Sequence, residues 1–437
     1  MAQIGNMVRI PELRKRIFFT LFMLAIYRLG VHVPTPGIDV VAIKQFFSSQ
    51  KGTLLEMFNL FSGGALQRFS IFALGVMPYV SSSIIMQLLT VVFPALDRLQ
   101  KEGELGRRKI NQYSRYLTVA LAVAQGFGIS TFLEHQSGLG GSSLVLHPGL
   151  WFKIQTVLTL TAGTIFIMWI GEQISDRGIG NGISIVIFAG IVAGFPHAVA
   201  STYQLFKANQ MGLLMLIGMI AFMLAVIYFV VYFEQAQRKI PVQYAKRVVG
   251  RKMFQGQSTY LPLKINMAGV IPPIFASSLL TFPATIASFS KVPWLQGVTQ
   301  HLSYGGWIYN TIEVCLIIFF CYFYTAVQFN PVDVADNMKK FGGYVPGIRP
   351  GKNTSDYIEK VLERLILVGG VYMSVVCVVP VFLQQGLGVS FYFGGTSILI
   401  VVGVALDTMS QIQGFLLNHH YEGFLGASSK RLKSRRG

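Results

Sequence analysis

The chain has 437 residues, of which 52% are hydrophobic and only 12% are charged. A soluble domain carries about 25% charged residues, so half of the usual charge is missing and a soluble domain is excluded. The net charge of +18 would suit nucleic-acid binding, but the basic residues are concentrated in short segments between long uncharged stretches. This pattern predicts an integral membrane protein.

Ten apolar segments are each long enough to cross a bilayer, for which a helix needs about 20 residues. In chain order they lie near 17–33, 69–93, 113–133, 151–171, 183–205, 213–233, 264–289, 309–328, 361–384 and 392–417. The composition therefore predicts an all-α polytopic membrane protein with ten transmembrane helices.

The distribution of Lys and Arg predicts the orientation, because these residues are retained on the cytoplasmic side of a membrane. With the N-terminus inside, 29 of the 36 Lys and Arg residues fall in the predicted inner segments, which are 1–16, 94–116, 172–182, 234–264, 329–364 and 418–437. We therefore expect both termini on the inner side.

The first span has features of a secretory signal, since Arg14, Lys15 and Arg16 precede an apolar run that ends at Tyr27. No cleavage site of small residues follows; Arg28 and a turn-rich stretch at 34–37 come instead. We interpret this span as an uncleaved signal anchor.

The ten spans divide into two sets of five, with the break near the basic loop at 234–264. Five is an odd number, so the second half enters the membrane in the opposite orientation, and inverted halves commonly place a pathway at their interface. The stretch MPYVSSSI at 77–84 resembles IPPIFASS at 271–278, although on its own this likeness is as compatible with chance as with an internal repeat. The predicted divisions are 1–233, a basic loop at 234–264, 265–417 with a second loop at 329–360, and a basic tail at 418–437.

The segment from Leu54 to Phe69 is amphipathic, too short to span a bilayer, and interrupted by Gly63 and Gly64. It could fold back into the protein, where protein or a water-filled cavity shelters broken backbone. It could equally lie flat on the outer leaflet as an interfacial helix. The pattern leaves both interpretations open.

Motifs of catalysis and ligand binding are not found in the sequence. It has no G-x-S-x-G elbow, no H-E-x-x-H and no paired cysteine motif, and the Gly-rich stretch at 347–353 is too short for a phosphate loop. Cys315, Cys321 and Cys377 all fall in predicted spans, where we interpret them as apolar packing residues. We therefore predict no enzyme, no metal site and no cofactor.

A secondary transporter of small solutes is the main alternative. Such carriers bury ionisable residues near the middle of the membrane. The candidates here are Glu313, near the outer end of span eight, and Asp407, toward the inner end of span ten. Neither has a basic partner within its own span, and for Asp407 we favour pairing with a neighbouring helix over a proton relay.

Long, distinctive strings carry a family resemblance. They are MFNLFSGGALQRFSIFALGVMPYVSSSIIMQLL at 57–89, KEGELGRRKINQYSRY at 101–116, GEQISDRGIGNGISIVIFAGIVAG at 171–194, QSTYLPLKINMAGVIPPIFASSLLTFPATIAS at 257–288, FNPVDVADNMKKFGGYVPGIRPG at 329–351 and FYFGGTSILIVVG at 391–403. These strings closely resemble the SecY family, the channel subunits of the bacterial Sec translocon in the plasma (inner) membrane. The likeness covers nearly the whole chain.

The resemblance implies two pseudo-symmetric halves of five helices with an hourglass pore between them. The waist of the pore is a ring of aliphatic side chains, which correspond here to Val76, Val80, Ile183, Ile187, Ile274 and Ile400. A narrow apolar constriction excludes water and ions by dewetting. Without the resemblance, these residues would simply be expected to pack in the membrane.

The resemblance also implies two moving parts. A short re-entrant plug helix would correspond to about 57–67, with Met57, Phe58, Asn59, Phe61, Ser62, Gly63 and Gly64 as its residues. A lateral gate between spans two and seven, which binds signal sequences, would contain Ser81, Ser82, Ser83, Ser277 and Ser278. Small hydroxyl residues give interhelical hydrogen bonds of only about 0.6–2 kcal/mol, which suits a seam that opens.

The expected partners follow from the resemblance as well. They are the subunits SecE and SecG, the ATPase SecA, the ribosome with its rRNA, signal sequences, nascent polypeptides and membrane lipids. The basic residues that would meet SecA or the ribosome are Lys246, Arg247, Arg251, Lys252 and Arg349. Arg349 matches a family position linked to SecA-driven export. The other four could instead be orientation signals, but the length of the two loops, each near thirty residues, favours ordered protrusions.

Overall fold

The computed structural model of the protein is mostly helical. It describes residues 10–49, 59, 61–135, 143–208, 212–244, 247–249, 252–254, 258–289, 306–387 and 394–433.

Every predicted span overlaps a helix. The helices are α1 Pro11–Gly30, α2 Val40–Ser49, α3 Met77–Val92, α4 Pro94–Lys101, α5 Glu104–His135, α6 Leu150–Arg177, α7 Gly182–Lys207, α8 Leu213–Gln235, α9 Ile271–Phe289, α10 Trp307–Gln328, α11 Pro331–Lys340, α12 Lys352–Leu387 and α13 Gly395–Lys433. The strands are β1 Gln237–Tyr244, β2 Arg247–Val249, β3 Lys252–Phe254, β4 Ser258–Lys264 and β5 Gly343–Tyr344.

Seven helices in the described part of the chain are long and apolar enough to cross a membrane, and they are α5, α6, α7, α8, α10, α12 and α13. The number becomes eight if α3 and α4, which are bent by 100° at their junction, form one span. The other two predicted spans correspond to α1, which carries charged residues near both ends, and to α9, whose described apolar part runs from Ile271 to Leu280. The protein is a multi-pass membrane protein, and the count of ten spans stays a prediction.

Proline residues mark the boundaries of α3 and α9. Phe93 has an extended backbone and Pro94 opens α4, so α3 ends where span two is predicted to end. The two similar stretches at 77–84 and 271–278 both begin a helix, with Pro78 in the first turn of α3 and Pro272 and Pro273 in the first turn of α9. A proline in the first turn costs no hydrogen bond and does not kink the helix.

Exposed aromatic side chains mark helix ends, as expected of a membrane protein whose Trp and Tyr residues lie at the interfaces. Trp151 and Trp307 are both 77% exposed at the starts of α6 and α10. Tyr228 and Tyr232 are exposed near the end of α8. The tryptophans belong to the predicted outer side and the tyrosines to the predicted inner side.

The described residues form two compact units. The first comprises Met1–Ala200, Ala284–Gln300 and Ile400–Gly437, and the second comprises Ser201–Pro283 and His301–Leu399. This division follows packing, whereas the predicted division at 234–264 follows the order of the chain.

In the first unit, α5 packs against α6, α3 packs against α5, and α1 packs against α6. A buried apolar cluster joins α2, the chain before α3 and the loop between α5 and α6, with Ile43, Phe46, Phe69, Leu144 and Phe152 among its members. The helix α2 is not among the predicted elements. Its start is stabilised by Asp39, whose carboxylate accepts hydrogen bonds from the backbone amides of Val41 and Ala42.

The second unit contains α10 packed against α12 and a small antiparallel sheet of order β4-β1-β5. In β1, Ile240 and Val242 are buried while the residues around them are exposed, the alternation typical of a strand. Because β1 pairs with both β4 and β5, the sheet joins the two long basic loops. The sequence-based expectation of an all-α protein did not include this sheet.

Candidate functional site

The aliphatic residues expected at a constriction are shielded from solvent. Val76 and Val80 lie one turn apart at the start of α3, where the amide of Val80 donates to the carbonyl of Val76 at 3.0 Å. Ile187 of α7 is buried, and Ile183 is half-buried one turn earlier. The other two, Ile274 of α9 and Ile400 of α13, are also buried. Ile274 belongs to the second unit and the other five to the first, so a shared ring stays a prediction.

The position of Ile183 depends on a close approach between α6 and α7. A Cβ atom added to Gly182 would lie 1.8 Å from the carbonyl oxygen of Gly171. A Cβ atom added to Gly171 would lie 2.8 Å from Cγ1 of Ile183. The two helices therefore touch backbone to backbone, and the Ile183 side chain rests where Gly171 has no side chain.

The stretch at 178–182 is a tight turn between α6 and α7. Gly180 has a φ of +83°, which favours glycine. The turn is fixed by its neighbours, because the amide of Ile179 donates to the Thr20 hydroxyl at 3.2 Å and the amide of Gly180 donates to the Gln411 side chain at 2.8 Å.

The described residues 59 and 61–69, here called the re-entrant segment, fold back on themselves. The carbonyl of Asn59 accepts from the amide of Gly64 at 2.8 Å, and its side-chain oxygen accepts from the amide of Gln67 at 2.8 Å. Gly63 and Gly64 have φ values of +67° and +85°, so the paired glycines permit the turn. Met57 and Phe58, also expected in a plug, lie outside the described residues.

The re-entrant segment is buried in the first unit. Phe61 and Ser62 are 2% and 3% exposed. A Cβ atom added to Gly190 of α7 would lie 3.2 Å from the Cα of Gly63, and one added to Gly75 would lie 3.3 Å from the Cα of Ser62. Such burial favours a segment folded into the protein over a helix lying flat on the membrane.

The serines expected at a lateral gate differ in their surroundings. Ser82 is fully buried, and its hydroxyl donates to the carbonyl of Ser114 in α5 at 2.5 Å. Ser81 and Ser83 are half-buried. The structure thus places Ser82 in the packing between α3 and α5.

The two serines expected on the other side of the gate lie in α9. Ser277 is buried, and its hydroxyl donates to the carbonyl of Ile274 at 3.0 Å. Ser278 is buried as well. These serines belong to the second unit and those of α3 to the first, so their meeting at a seam stays a prediction.

The basic loops share one framework in the second unit. Gln243 of β1 pairs with Tyr344 of β5, and the Tyr344 hydroxyl donates to the Gln243 side chain at 3.1 Å. Arg349 is exposed on the turn before α12, and its carbonyl accepts from the Thr354 hydroxyl at 2.9 Å. The turn thus fixes the backbone of Arg349 and leaves its side chain accessible.

The remaining basic residues of the first long loop are only partly described. Arg247 lies in β2 and Lys252 in β3, which pair with each other. Lys246 and Arg251 lie outside the described residues.

Ionisable groups in the spans are sparse. Asp407 is exposed and Glu313 is 3% exposed. Within the described ranges neither forms an ion pair, and no group of three or more His, Cys, Asp and Glu residues could hold a metal ion.

Sequence comparison adds a family match. A family model described as SecY matches residues 70–409. The chain is 51% identical over 418 residues to the protein translocase subunit SecY of Escherichia coli K12, which covers 95% of this chain and 94% of that protein. It is 52% identical over 423 residues to the same subunit of Vibrio cholerae, with coverage of 95% and 94%.

Solved structures share the fold. The one described as "The structure of a protein conducting channel" matches with a TM-score of 0.66 at 16% identity, covering 94% of this chain and 96% of that chain. Sec61 in the canine ribosome-channel complex from the endoplasmic reticulum matches with a TM-score of 0.61 at 16% identity and the same coverage.

The neighbouring serines of α3 should respond differently to one substitution. We expect Ser82→Leu to destabilise the protein by about 1–3 kcal/mol, because the added atoms overpack a buried contact; the Ser114 carbonyl would keep the Thr118 hydroxyl as a donor. Ser81→Leu at the half-buried neighbour should leave thermal unfolding in detergent nearly unchanged.

Translocation measured on the same variants tests the seam. Ser81→Leu should alter gating, and unchanged translocation in that variant would remove the support for Ser81 in a lateral gate. A Ser82→Leu protein as stable as the wild type would contradict the packing role of Ser82.

Proposed function

This chain belongs to the SecY family, and on that premise we propose that it is the central channel subunit of a Sec translocon. It passes unfolded polypeptides across the plasma membrane and releases transmembrane segments laterally into lipid. The observation that carries this proposal is the identity of about half of all residues, over 95% of the chain, to subunits named protein translocase SecY. The shared fold with a solved protein-conducting channel supports it.

The constriction is formed in this proposal by the six aliphatic positions described above. Their support is the burial of five and the half-burial of Ile183. Such a ring has no polar group to hold water, so it dewets when narrow, and its side chains can rotate around a passing chain. A polypeptide can therefore pass while ions are excluded.

The re-entrant segment acts as the plug that closes the resting channel. In a relative of known structure, the plug domain is described as stabilising the closed state and maintaining a membrane seal. Here the paired turn glycines and the burial of Phe61 and Ser62 support the same role. The half-buried serines of α3 and the buried serines of α9 form the lateral gate through which a signal sequence leaves.

The energy for transport comes from outside the chain. Two of the matching solved structures are ribosome complexes, and we infer that the basic loops receive the ribosome during insertion and the ATPase SecA during export. Exposed Arg349 and the sheet that joins the loops support this assignment. Attraction of basic residues to rRNA phosphates falls as salt increases. SecE and SecG complete the membrane complex.

The protein lies in the plasma membrane with both termini in the cytoplasm. The concentration of Lys and Arg in the predicted inner segments supports this orientation. The transporter alternative gains no support, since Asp407 is exposed and the similar proteins are translocase subunits.

The constriction can be tested by translocation in liposomes that contain this chain, a SecE subunit, SecA and ATP. A signal-bearing precursor should become protected from protease. Val80→Asp and Ile274→Asp should each abolish protection, because a carboxylate in a desolvated apolar ring is costly and holds water. Leu146→Asp introduces the same group at a position that is 58% exposed and should retain translocation.

Absence of protection with folded wild-type protein and active SecA would contradict the channel function. Full activity of both Val80→Asp and Ile274→Asp would contradict the proposed constriction but not the channel function.

The role of Arg349 can be tested by charge reversal. We expect Arg349→Glu to impair SecA-dependent export several-fold more than ribosome-dependent insertion, because its exposed guanidinium is lost from the loop that meets the motor. Lys360→Glu, at an exposed position of α12, is the matched control. Equal loss of both activities in Arg349→Glu would argue against a motor-specific role.

A further inference from the structure

Two neighbouring side chains in the last turn of α1 bind the re-entrant segment. The Tyr27 hydroxyl donates to the carbonyl of Ser62 at 3.0 Å, and Nη1 of Arg28 donates to the carbonyl of Gly63 at 3.0 Å. Tyr27 is 1% exposed and Arg28 is half-buried. Two consecutive helical residues thus bind two consecutive backbone carbonyl groups, and each bonded pair is 35 residues apart in the chain.

Arg28 has no carboxylate partner in the described part of the chain. Its guanidinium has five donors and always carries a charge. Among the described residues, the acceptor for this side chain is the backbone carbonyl of Gly63. A hydrogen bond from a charged donor is stronger than one between neutral groups. The contact therefore contributes more to the position of the segment than an ordinary turn hydrogen bond.

The same residue of the segment, Gly63, also lies against α7. A Cβ atom added to Gly63 would lie 2.8 Å from the Cα of Gly190. The same added atom would lie 3.0 Å from the Tyr27 hydroxyl and 3.1 Å from Nη1 of Arg28, so the α7 backbone and both α1 side chains meet where Gly63 has no side chain. Apolar contacts are not directional, so they alone would allow the segment to shift along its neighbours. The hydrogen bonds from Tyr27 and Arg28 are directional and fix the segment in one position.

The downstream end of the segment is fixed separately. The carbonyl of Phe69 accepts from the amide of Thr35 at 2.9 Å, and the amide of Ile71 donates to the carbonyl of Val33 at 3.0 Å. Phe69 is fully buried with a φ of +43°, a left-handed conformation that costs free energy for any residue but glycine. The segment thus has a fixed downstream end, and its upstream end is held by the Tyr27 and Arg28 side chains.

We propose that Tyr27 and Arg28 form a latch that keeps the re-entrant segment seated and the channel closed. This inference rests on the proposed plug function. Among the described residues the latch consists of two hydrogen bonds and no ion pair, so the segment can leave and return. Both latch side chains belong to α1 of the first unit, and the carbonyl groups that accept their hydrogen bonds belong to the re-entrant segment.

Ion leak through the resting channel measures the latch directly. The wild-type chain, reconstituted with a SecE subunit in proteoliposomes without SecA or precursor, should be nearly impermeable. Arg28→Gln should raise the leak about tenfold, since it replaces a charged donor by a shorter, neutral one and charged donors form the stronger hydrogen bonds. Tyr27→Phe should raise it less, because it removes one neutral donor. Arg28→Lys keeps a charged donor and should leak less than Arg28→Gln.

Lys153→Gln is the matched control. It breaks the 2.8 Å ion pair with Glu134, which joins α5 and α6 in the same unit and is not one of the hydrogen bonds to the re-entrant segment. Its leak should equal that of the wild type. A leak in this control equal to that of Arg28→Gln would contradict the latch, because general loosening of the unit would then explain the result.

Deletion of residues 59–67 separates failure of the latch from failure of the proposed function. The deleted channel should conduct whether or not the latch exists. Conduction by the deleted channel, with Arg28→Gln and Tyr27→Phe as tight as the wild type, would overturn the latch. No conduction by the deleted channel would contradict the proposed channel, and the latch with it.

Discussion

Close backbone contact at glycine is the constraint on which the packing of the first unit depends. A Cβ atom on Gly163 of α6 would lie 1.9 Å from the carbonyl oxygen of Ile71, and one on Gly182 would overlap the carbonyl of Gly171. Lipid tails are as apolar as leucine, so helices in a membrane gain little by burying side chains against each other and associate through close packing of small residues instead. The spacing between these elements is therefore set by their backbones.

The parts proposed to seal the channel share this backbone framework. Ile183, Ile187 and Gly190 fall on one face of α7, since residues three and four apart are neighbours on a helix. The helix that carries two positions of the constriction thus also forms the seat of the re-entrant segment through Gly190. Because the Ile183 side chain rests on Gly171, a change in the contact between α6 and α7 would move the constriction and the seat together.

The spans could be predicted from the sequence because twenty-residue apolar runs and the placement of Lys and Arg are local properties. The pattern left the segment from Leu54 to Phe69 open between two interpretations, and the family resemblance implied the re-entrant one. Gly63 and Gly64 have the positive φ angles that such a turn requires. The helix α2 and the sheet were missed. The sequence signal for α2 is one capping residue, Asp39, and the signal for the sheet is the pair Ile240 and Val242, two positions apart in a mostly polar stretch. Both signals are much weaker than a twenty-residue apolar run.

The surroundings of individual side chains depend on tertiary contacts and could not be predicted from the sequence. Ser81, Ser82 and Ser83 look equivalent in a string of small residues, but only Ser82 reaches the carbonyl of Ser114. Arg28 could be interpreted only as the end of a signal-like run, because its acceptor lies 35 residues away. The partners, the lateral gate and the ring of six aliphatic residues stay predictions, since each depends on other chains or on the arrangement of the two units.

The most direct test of this account is the resting ion conductance of Gly190→Val in the reconstituted complex. The added atoms would occupy the space of the Gly63 backbone, so the account predicts a channel that conducts without SecA or precursor. Gly218→Val places the same side chain in α8, where nothing lies within 4 Å of an added Cβ atom, and should stay closed. A Gly190→Val channel as tight as Gly218→Val would contradict the claim that backbone contact at glycine seats the plug.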